Sequence, residues 1–421
     1  MWRAIKRLFL YPLSLLLIVL AYIGAGLLAA RLIDSIWMIA AIAALAAYAV
    51  GYWCIRAIER QSKHSNRLAM VASAILAAFI SLFMWRYAGQ PGVAPEDSGI
   101  AHEASSYWTL SDGARISFMH CGAPEGEHAR PLIFLHGGPA IPPRSSTSRT
   151  ICAIAERGYS VYAYDQIGSG ASTTLADISG YSVKRHVADL EEIRELLGAK
   201  QIDLIGVSWG TVLASHYIAA HPGRVVHAVF VSPGILGPRN GDDVKYDYSP
   251  TASADYDGVL LPPLRVIVAG ALARINPRAA VDLMAQSEAG IVMDELAADP
   301  GMEYQGKCKG AKIDVSDKSR GRGANYYANL MTAQDLKRAT NPLAAIRRSS
   351  PPPVLILRGE CDYIPRLALG RYEAAFEKVR VIEVKGEGHS FLGARPDIVV
   401  PETVCFLSDQ SADYCAAQSA P

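Results

Sequence analysis

The chain has 421 residues, 51% of them apolar and 19% charged, with a formal net charge of +1. That length allows more than one domain, and that balance excludes intrinsic disorder over most of the chain. It also gives no electrostatic reason to expect a nucleic-acid partner.

The apolar residues come first. Leu8 to Ala30 carries no formal charge, Ile36 to Ile55 is a second apolar run, and Leu68 to Trp85 a third. A helix needs roughly 20 apolar residues to cross a bilayer. None of the runs shows an amphipathic stripe, so lipid is the expected surround. Residues 1–90 are therefore expected to form a membrane domain of about three transmembrane helices. Arg3, Lys6 and Arg7 precede the first run, and Arg56, Arg60, Lys63 and Arg67 fill the second loop. Basic loops stay inside, which places everything after Arg86 outside the cytoplasm and the chain in the cell (inner) membrane. Residues 91–105 read as a linker, since Gln90 to Ser98 is rich in Pro, Gly and small residues.

From Ser106 onward the punctuation changes to that of a parallel sheet. Ser106–Leu110 and Arg115–Met119 flank Ser111-Asp-Gly113, a hairpin signal. Short apolar runs follow at Pro131–Leu135, Tyr159–Tyr164, Gln201–Gly206, Val225–Val231, Val354–Leu357 and Val379–Val384. Helical segments separate most of them; in Val183 to Leu197 the apolar residues Val187, Leu190, Ile193 and Leu197 share one side. Such alternation predicts a mostly parallel, doubly wound sheet in two parts, 106–234 and 347–421, with ligands at the carboxyl ends of its strands. Between them the alternation lapses, and residues 235–346 read as a cap inserted over the sheet.

Gly206-Val-Ser208-Trp-Gly210 is a G-x-S-x-G placed between a predicted strand and a helix starting near Thr211. That is the setting of a nucleophile elbow, where small flanking residues permit a tight turn that exposes the serine. A serine hydroxyl needs a base to take its proton. His389 stands late in the chain, in Gly386-Glu-Gly-His389 after a strand. The expected order is Ser, acid, His, and Arg358-Gly-Glu-Cys-Asp362 offers Glu360 and Asp362, of which Asp362 lies farther from the strand end. The oxyanion hole would take the N–H of Trp209 and one from His136-Gly-Gly-Pro139; Gly138 is favoured over Gly137, and Pro139 has no N–H. His136 reads as an orienting loop residue and Asp165 as the fixer of the Gln166–Gly170 turn.

Together, His136-Gly-Gly-Pro139, Asp165-Gln-Ile-Gly-Ser-Gly170, Gly206-Val-Ser-Trp-Gly-Thr211, Gly359-Glu-Cys-Asp362 and Gly388-His389 resemble the proline iminopeptidase-like branch of the α/β hydrolases. The resemblance runs over roughly Ser106 to Leu407 and implies the α/β-hydrolase fold, no cofactor and no metal, and release of N-terminal residues from peptides. The chain departs from that branch at Ile167, where Arg is common, and at Ala324, where a cap carboxylate that holds the substrate amine is expected before the Asn325-Tyr-Tyr327 run. Asp242, Asp243, Asp247, Asp255, Asp257 and Glu303 are the substitutes in the cap, with Glu303 and Asp247 first. The alternative is an esterase or lipase acting on small acyl esters or lipids. The expected partners are a peptide or small acyl substrate and the bilayer.

Seven cysteines complete the inventory. Cys54 lies in the second apolar run. The other six, Cys121, Cys152, Cys308, Cys361, Cys405 and Cys415, form an even set, which in a non-cytoplasmic domain points to disulfides. Cys405 and Cys415 are close enough in sequence to staple the C-terminal tail, and no zinc-type spacing is present.

Overall fold

The computed structural model describes residues 2–59, 64–89, 106–122, 130–143, 145–237, 263–298, 308 and 323–408. The 91–105 linker, Cys415 and the acids Asp242, Asp243, Asp247, Asp255, Asp257 and Glu303 lie outside the described residues. The chain divides into two compact units, Met1–Ala94 with Leu261–Glu288, and Pro95–Leu260 with Ala289–Pro421.

The first unit contains three long helices, Trp2–Ala29, Ile36–Ile58 and Ser65–Met84, the last continued by a short π-helical turn at Trp85–Gly89. All three are long and apolar enough to cross a membrane, over Leu8–Ala29, Ile36–Ile58 and Ser65–Ala88. Their contacts run along small residues. The second helix buries Ile39, Ala43, Ala47, Gly51 and Ile55, and the third buries Ala69, Ser73 and Ala77. Spacing of four puts each set on one face. Small side chains there let apolar helices approach closely. At Gly51 an added Cβ would lie 3.2 Å from Ser73 Oγ and 3.3 Å from Ile18 Cδ1, so all three helices converge on this point. Leu8, Phe9, Leu45, Trp53, Ile75, Phe79 and Leu82 are exposed on the outside of the bundle.

The first unit also holds Leu261–Glu288, which the sequence placed within a cap over the sheet. Its described part forms helices Leu264–Ala273 and Pro277–Leu283. The physical reason is polar as well as apolar. Arg265 donates from Nη1 to Ala88 O (2.7 Å) and from Nη2 to Glu288 Oε2 (2.8 Å). Asp282 accepts from the Ile36 N–H (2.7 Å), and the Asn276 amide donates to Asp34 (2.8 Å).

The second unit is built on eight strands: β1 (Ser106–Thr109), β2 (Arg115–Cys121), β3 (Leu132–Leu135), β4 (Val161–Tyr164), β5 (Ile202–Ser208), β6 (Val225–Pro233), β7 (Val354–Gly359) and β8 (Val379–Val384). They run in the order β1-β2-β4-β3-β5-β6-β7-β8. The β1–β2 and β2–β4 pairs are antiparallel and the rest parallel. Asp112 and Gly113 make the hairpin turn, Asp112 accepting from the Ala114 N–H (2.9 Å) and Gly113 taking φ +86°. The inner strands are mostly apolar because both faces are covered, with Asp203, His227 and Arg358 among the buried exceptions. Helices Ser145–Ala155 and Pro396–Leu407 contribute Ile151, Ile154, Val399, Val400 and Leu407 to a core with Phe134, Ile205, Val229 and Leu355. Helices Val183–Leu196 and Trp209–Ala220 cover the other side. Each fully buried Leu, Ile or Val contributes roughly 1.5–3 kcal/mol, so the sheet centre is the rigid platform of the unit.

The chain leaves β3 toward β4 and then crosses back to β5 on the other side. This reversal opens a crevice at the carboxyl ends of β3 and β5, where α/β sheets bind ligands. Both the His136 loop and Ser208 fall there.

Two disulfides are described, Cys121–Cys152 and Cys308–Cys361, the second with a Cα–Cα separation of 5.1 Å. Cys405 is disulfide-bonded too, and Cys54 is free.

Candidate active site

Ser208 ends β5 and precedes the helix that begins at Trp209. Its φ of +53° lies in the left-handed region, which costs a non-glycine residue energy and marks a turn held by its surroundings. The surroundings are tight. An added Cβ on Gly206 would stand 2.7 Å from the Gly210 carbonyl carbon, and one on Gly210 would stand 2.0 Å from Leu135 O. Both glycines of the G-x-S-x-G are therefore demanded by backbone contact. From the helix side, Thr211 Oγ1 donates to Ser208 O (2.7 Å) and shares a hydrogen bond with the buried Tyr372 hydroxyl (2.9 Å). Tyr372 also reaches Gly234 O (2.8 Å), tying the elbow to the end of β6.

Asp362 and His389 meet on the loops that follow β7 and β8. His389 Nδ1 lies 2.8 Å from Asp362 Oδ1, and both side chains are buried. A carboxylate only accepts, so Nδ1 carries the proton and Nε2 is left as the acceptor. Nε2 has no protein partner, nor has Asp362 Oδ2. Asp362 Oδ1 also accepts from the Ile364 N–H (2.9 Å), and Arg358 donates to the Asp362 and Ile364 carbonyls (3.2 and 3.1 Å). Glu360, the other carboxylate of the run, turns away to accept from the Gly386 N–H (2.9 Å). Gly359 allows the two loops to touch, since a Cβ there would fall 2.1 Å from Gly388 O. The Cys308–Cys361 disulfide adds a covalent tie to the residue next to Asp362. Tyr363 packs its ring 4.3 Å from that of His389.

The loop after β3 lies against the elbow. A Cβ on Gly137 would be 3.4 Å from Ser208 Cβ, and Gly138 takes φ +115°. His136 is buried and spends both ring nitrogens on the backbone. Nε2 accepts from the Gln166 N–H (2.9 Å), so Nδ1 carries the proton and donates to Gly137 O (2.9 Å). This is an orienting role, not that of a base. Asp165 accepts from the Ala171 N–H (3.0 Å) and so closes the turn after β4.

Gln166 is the residue that sequence reasoning missed. Its amide nitrogen donates to His136 O (2.9 Å), and its amide oxygen accepts from the Trp209 indole (2.8 Å). One fully buried side chain thus joins the β3 loop, the β4 loop and the first residue of the elbow helix. The only signal in the sequence is its place in the Asp165–Gly170 motif.

The Asn325-Tyr-Tyr327 run also receives definite places. Asn325 caps helix Tyr326–Leu336, its side chain accepting from the Ala328 N–H (3.1 Å), and Tyr327 is fully buried. Asn329 donates to Pro139 O (2.7 Å) and the Asn325 N–H to Ala140 O (3.1 Å), so this helix rests on the glycine loop. Beside Ala324 stands a carboxylate from elsewhere in the chain: Asp294 accepts from the Ala324 and Gly323 N–H groups (2.7 and 3.0 Å).

Burial around the site is deep enough to set protonation. Desolvation takes His186 down to about 3, with His136 as a lesser contributor, and also lowers His136 itself. Both stay neutral in the folded protein, whereas in the unfolded chain they titrate near an ordinary value of about 6.5. Their stabilisation is therefore fully present above about pH 6.5 and is lost as pH falls toward the folded values. His186 contributes up to about 1.4 kcal/mol per pH unit in that window. The melting temperature of the detergent-solubilised protein should fall between pH 7.5 and pH 5. His186→Gln should flatten that fall; an unchanged slope would show that burial of His186 does not set it.

A family model for the alpha/beta hydrolase fold matches residues 130–396. The chain belongs to the α/β-hydrolase family. Within that family, part of the chain is similar in sequence to proline iminopeptidases. It is 33% identical over 133 residues to a proline iminopeptidase of Heyndrickxia coagulans, a stretch covering 32% of this chain and 44% of that protein. It is 31% identical over 139 residues to a proline iminopeptidase of Xylella fastidiosa, covering 33% and 40%. The chain thus spans less than half the length of these curated relatives. Among solved structures, an esterase of Thermogutta terrifontis aligns with TM-score 0.53 at 14% identity, over 72% of this chain and 98% of that one. A carboxylesterase of Nitrososphaera gargenis gives TM-score 0.51 at 17% identity, over 72% and 98%. At such identities the likeness is one of fold.

Proposed function

We propose that the chain is a membrane-anchored serine hydrolase, with Ser208 as nucleophile, His389 as base and Asp362 as the supporting acid. The observation that carries this reading is the His389–Asp362 pair, which leaves His389 Nε2 as an unpartnered acceptor on the strand-end loops of the sheet that presents Ser208. In the reaction, Ser208 Oγ attacks the substrate carbonyl as His389 takes its proton. The Gly138 and Trp209 N–H groups stabilise the oxyanion. Collapse expels the leaving group, to which His389 returns the proton, and water then hydrolyses the acyl-enzyme by the same steps.

The substrate reading is an aminopeptidase of proline iminopeptidase type, releasing N-terminal residues from peptides. Its support is the motif set together with the relatives matched by sequence. Such an enzyme pairs the substrate ammonium with a carboxylate, because an unpaired buried charge is costly. Glu303 and Asp247 remain proposed for this role, and Asp294 joins them from its place beside Ala324. Ala324 itself favours the second reading, an esterase or lipase with no amine to hold. The anchor would be the three apolar helices in the cell (inner) membrane, and the catalytic domain would face away from the cytoplasm.

The deciding experiment compares proline arylamide, its N-acetylated form and short acyl esters of the same chromophore class. The free-amine arylamide should be hydrolysed with higher kcat/KM than the acetylated one. Neutralising the true anchor acid should raise KM for the free amine and leave the acetylated substrate unchanged. Faster turnover of esters, with no preference for the free amine, would replace the peptidase reading by the esterase one.

A further inference from the structure

We propose that helix Leu264–Ala273, which the chain inserts between β6 and β7, lies in the bilayer surface as an interfacial helix and contacts lipid directly; this rests on the membrane-spanning reading of the three N-terminal helices. The helix is two-faced, and the faces differ in what they touch. Arg265, Val266, Ala269, Gly270, Leu272 and Ala273 are buried within the first unit. Leu264, Ile267, Val268 and Ala271 form the opposite stripe, continued by Ile275, with Ile267 50% and Ile275 37% exposed. These positions follow the 3.6-residue period, so the stripe is continuous. Within Leu264–Ala273 it is entirely apolar; just beyond, the exposed C-cap residue Arg274 lies on the side of Ile267.

Arg265 is the only charged residue in the helix, and it points inward. Its guanidinium is consumed by Glu288 and by the carbonyls of Ala88 and Leu283. Arg274, exposed at the C-cap, has a side chain long enough to carry its charge to the headgroup level while the stripe stays apolar.

The depth of the helix follows from its anchors. Arg265 bonds the end of the third long helix at Ala88. The segment after it bonds the connection between the first two helices, through Asn276 to Asp34 and through Asp282 to the Ile36 N–H. Both sites lie at one end of the bundle. The same end carries Trp37, Trp85 and Tyr87, all exposed, with the Trp37 and Trp85 rings 4.7 Å apart. Exposed Trp and Tyr mark the headgroup level of a membrane protein. The apolar stripe is thus fixed at the level where an amphipathic helix buries its apolar face in lipid.

The test uses the full-length protein in phosphatidylcholine vesicles, with Cys54→Ser to remove the free thiol. Ile267→Cys is labelled with an environment-sensitive fluorophore, and Phe79→Cys, exposed in the middle of the third long helix, is labelled as the reference. Ester or arylamide turnover checks that each protein is folded. Brominated lipid should quench most of the emission at both positions, and aqueous iodide little of it at either. Quenching at Ile267 by iodide, with Phe79 quenched only by brominated lipid, would overturn the inference and leave the spanning helices intact. Protection of Ile267 from both quenchers would assign the stripe to a second protein surface and overturn it too. Loss of brominated-lipid quenching at Phe79 as well would remove the membrane reading together with the inference.

Discussion

Ser208→Ala and His389→Ala are each expected to lower kcat by on the order of 10⁴- to 10⁶-fold, while the thermal melt stays near that of the parent protein. The reasoning is local. Under the proposed mechanism, no acyl-enzyme forms without Ser208, and without His389 no group is placed to take the serine proton. Asp362→Asn should cost about 10⁴-fold. An amide can donate to Nδ1, which would move the proton to Nε2 and leave the proposed base in the wrong tautomer. Asp362 Oδ1 also accepts from the Ile364 N–H, so an amide that turns its NH2 to Nδ1 gives up that bond, and a modest loss of stability should accompany the loss of kcat. A fluorophosphonate probe should label the parent protein and fail on Ser208→Ala. Labelling of that variant at the parent level would mean that the nucleophile lies elsewhere.

Gly210→Ala should be almost as damaging, through geometry alone. The new methyl would stand 2.0 Å from Leu135 O and 3.0 Å from His136 O, both backbone atoms that cannot swing aside. Relief requires the elbow helix and the β3 loop to separate. Overpacking of this kind costs about 1–3 kcal/mol or more. A displacement of about 1 Å between nucleophile and oxyanion donors can cost on the order of 100-fold in rate. The expected variant is therefore less stable and at least about 100-fold slower. Gly370→Ala provides the contrast. It lies in helix Leu369–Ala375 with nothing within 4 Å of the added Cβ, and should be neutral or stabilising by about 0.4–1 kcal/mol. If both variants behaved alike in melting temperature and rate, the close approach at Gly210 would not be what shapes the site.

The legibility of the site in the sequence varied with the physics behind each residue. The elbow was readable because backbone proximity leaves glycine as the only choice at 206 and 210, and a strand must precede and a helix follow. Strands β3 and β5–β8 were readable because a sheet covered on both faces needs short, mostly apolar runs. Asp362 over Glu360 rested on distance from a strand end; the hydrogen bond to His389, and the turning of Glu360 to Gly386, are matters of loop shape. Gln166 was invisible because its role is to bridge three segments distant in sequence. Disulfide pairing was equally hidden, since spacing says nothing about which thiols meet.

The three long apolar helices and the doubly wound sheet were fixed by composition and period alone, because burial sorts side chains the same way wherever an element lies. The placement of 261–288 was not. Its first helix is apolar and short, with one arginine, and such a helix would serve equally as part of a lid over the sheet. Only in three dimensions does Arg265 find Ala88 and Glu288, and Asp282 the Ile36 N–H, which draws the segment out of the sheet unit and into that of the N-terminal helices. A buried guanidinium goes where its acceptors are, and besides Glu288 those are the carbonyls of Ala88, 177 residues away along the chain, and Leu283, which no sequence pattern marks.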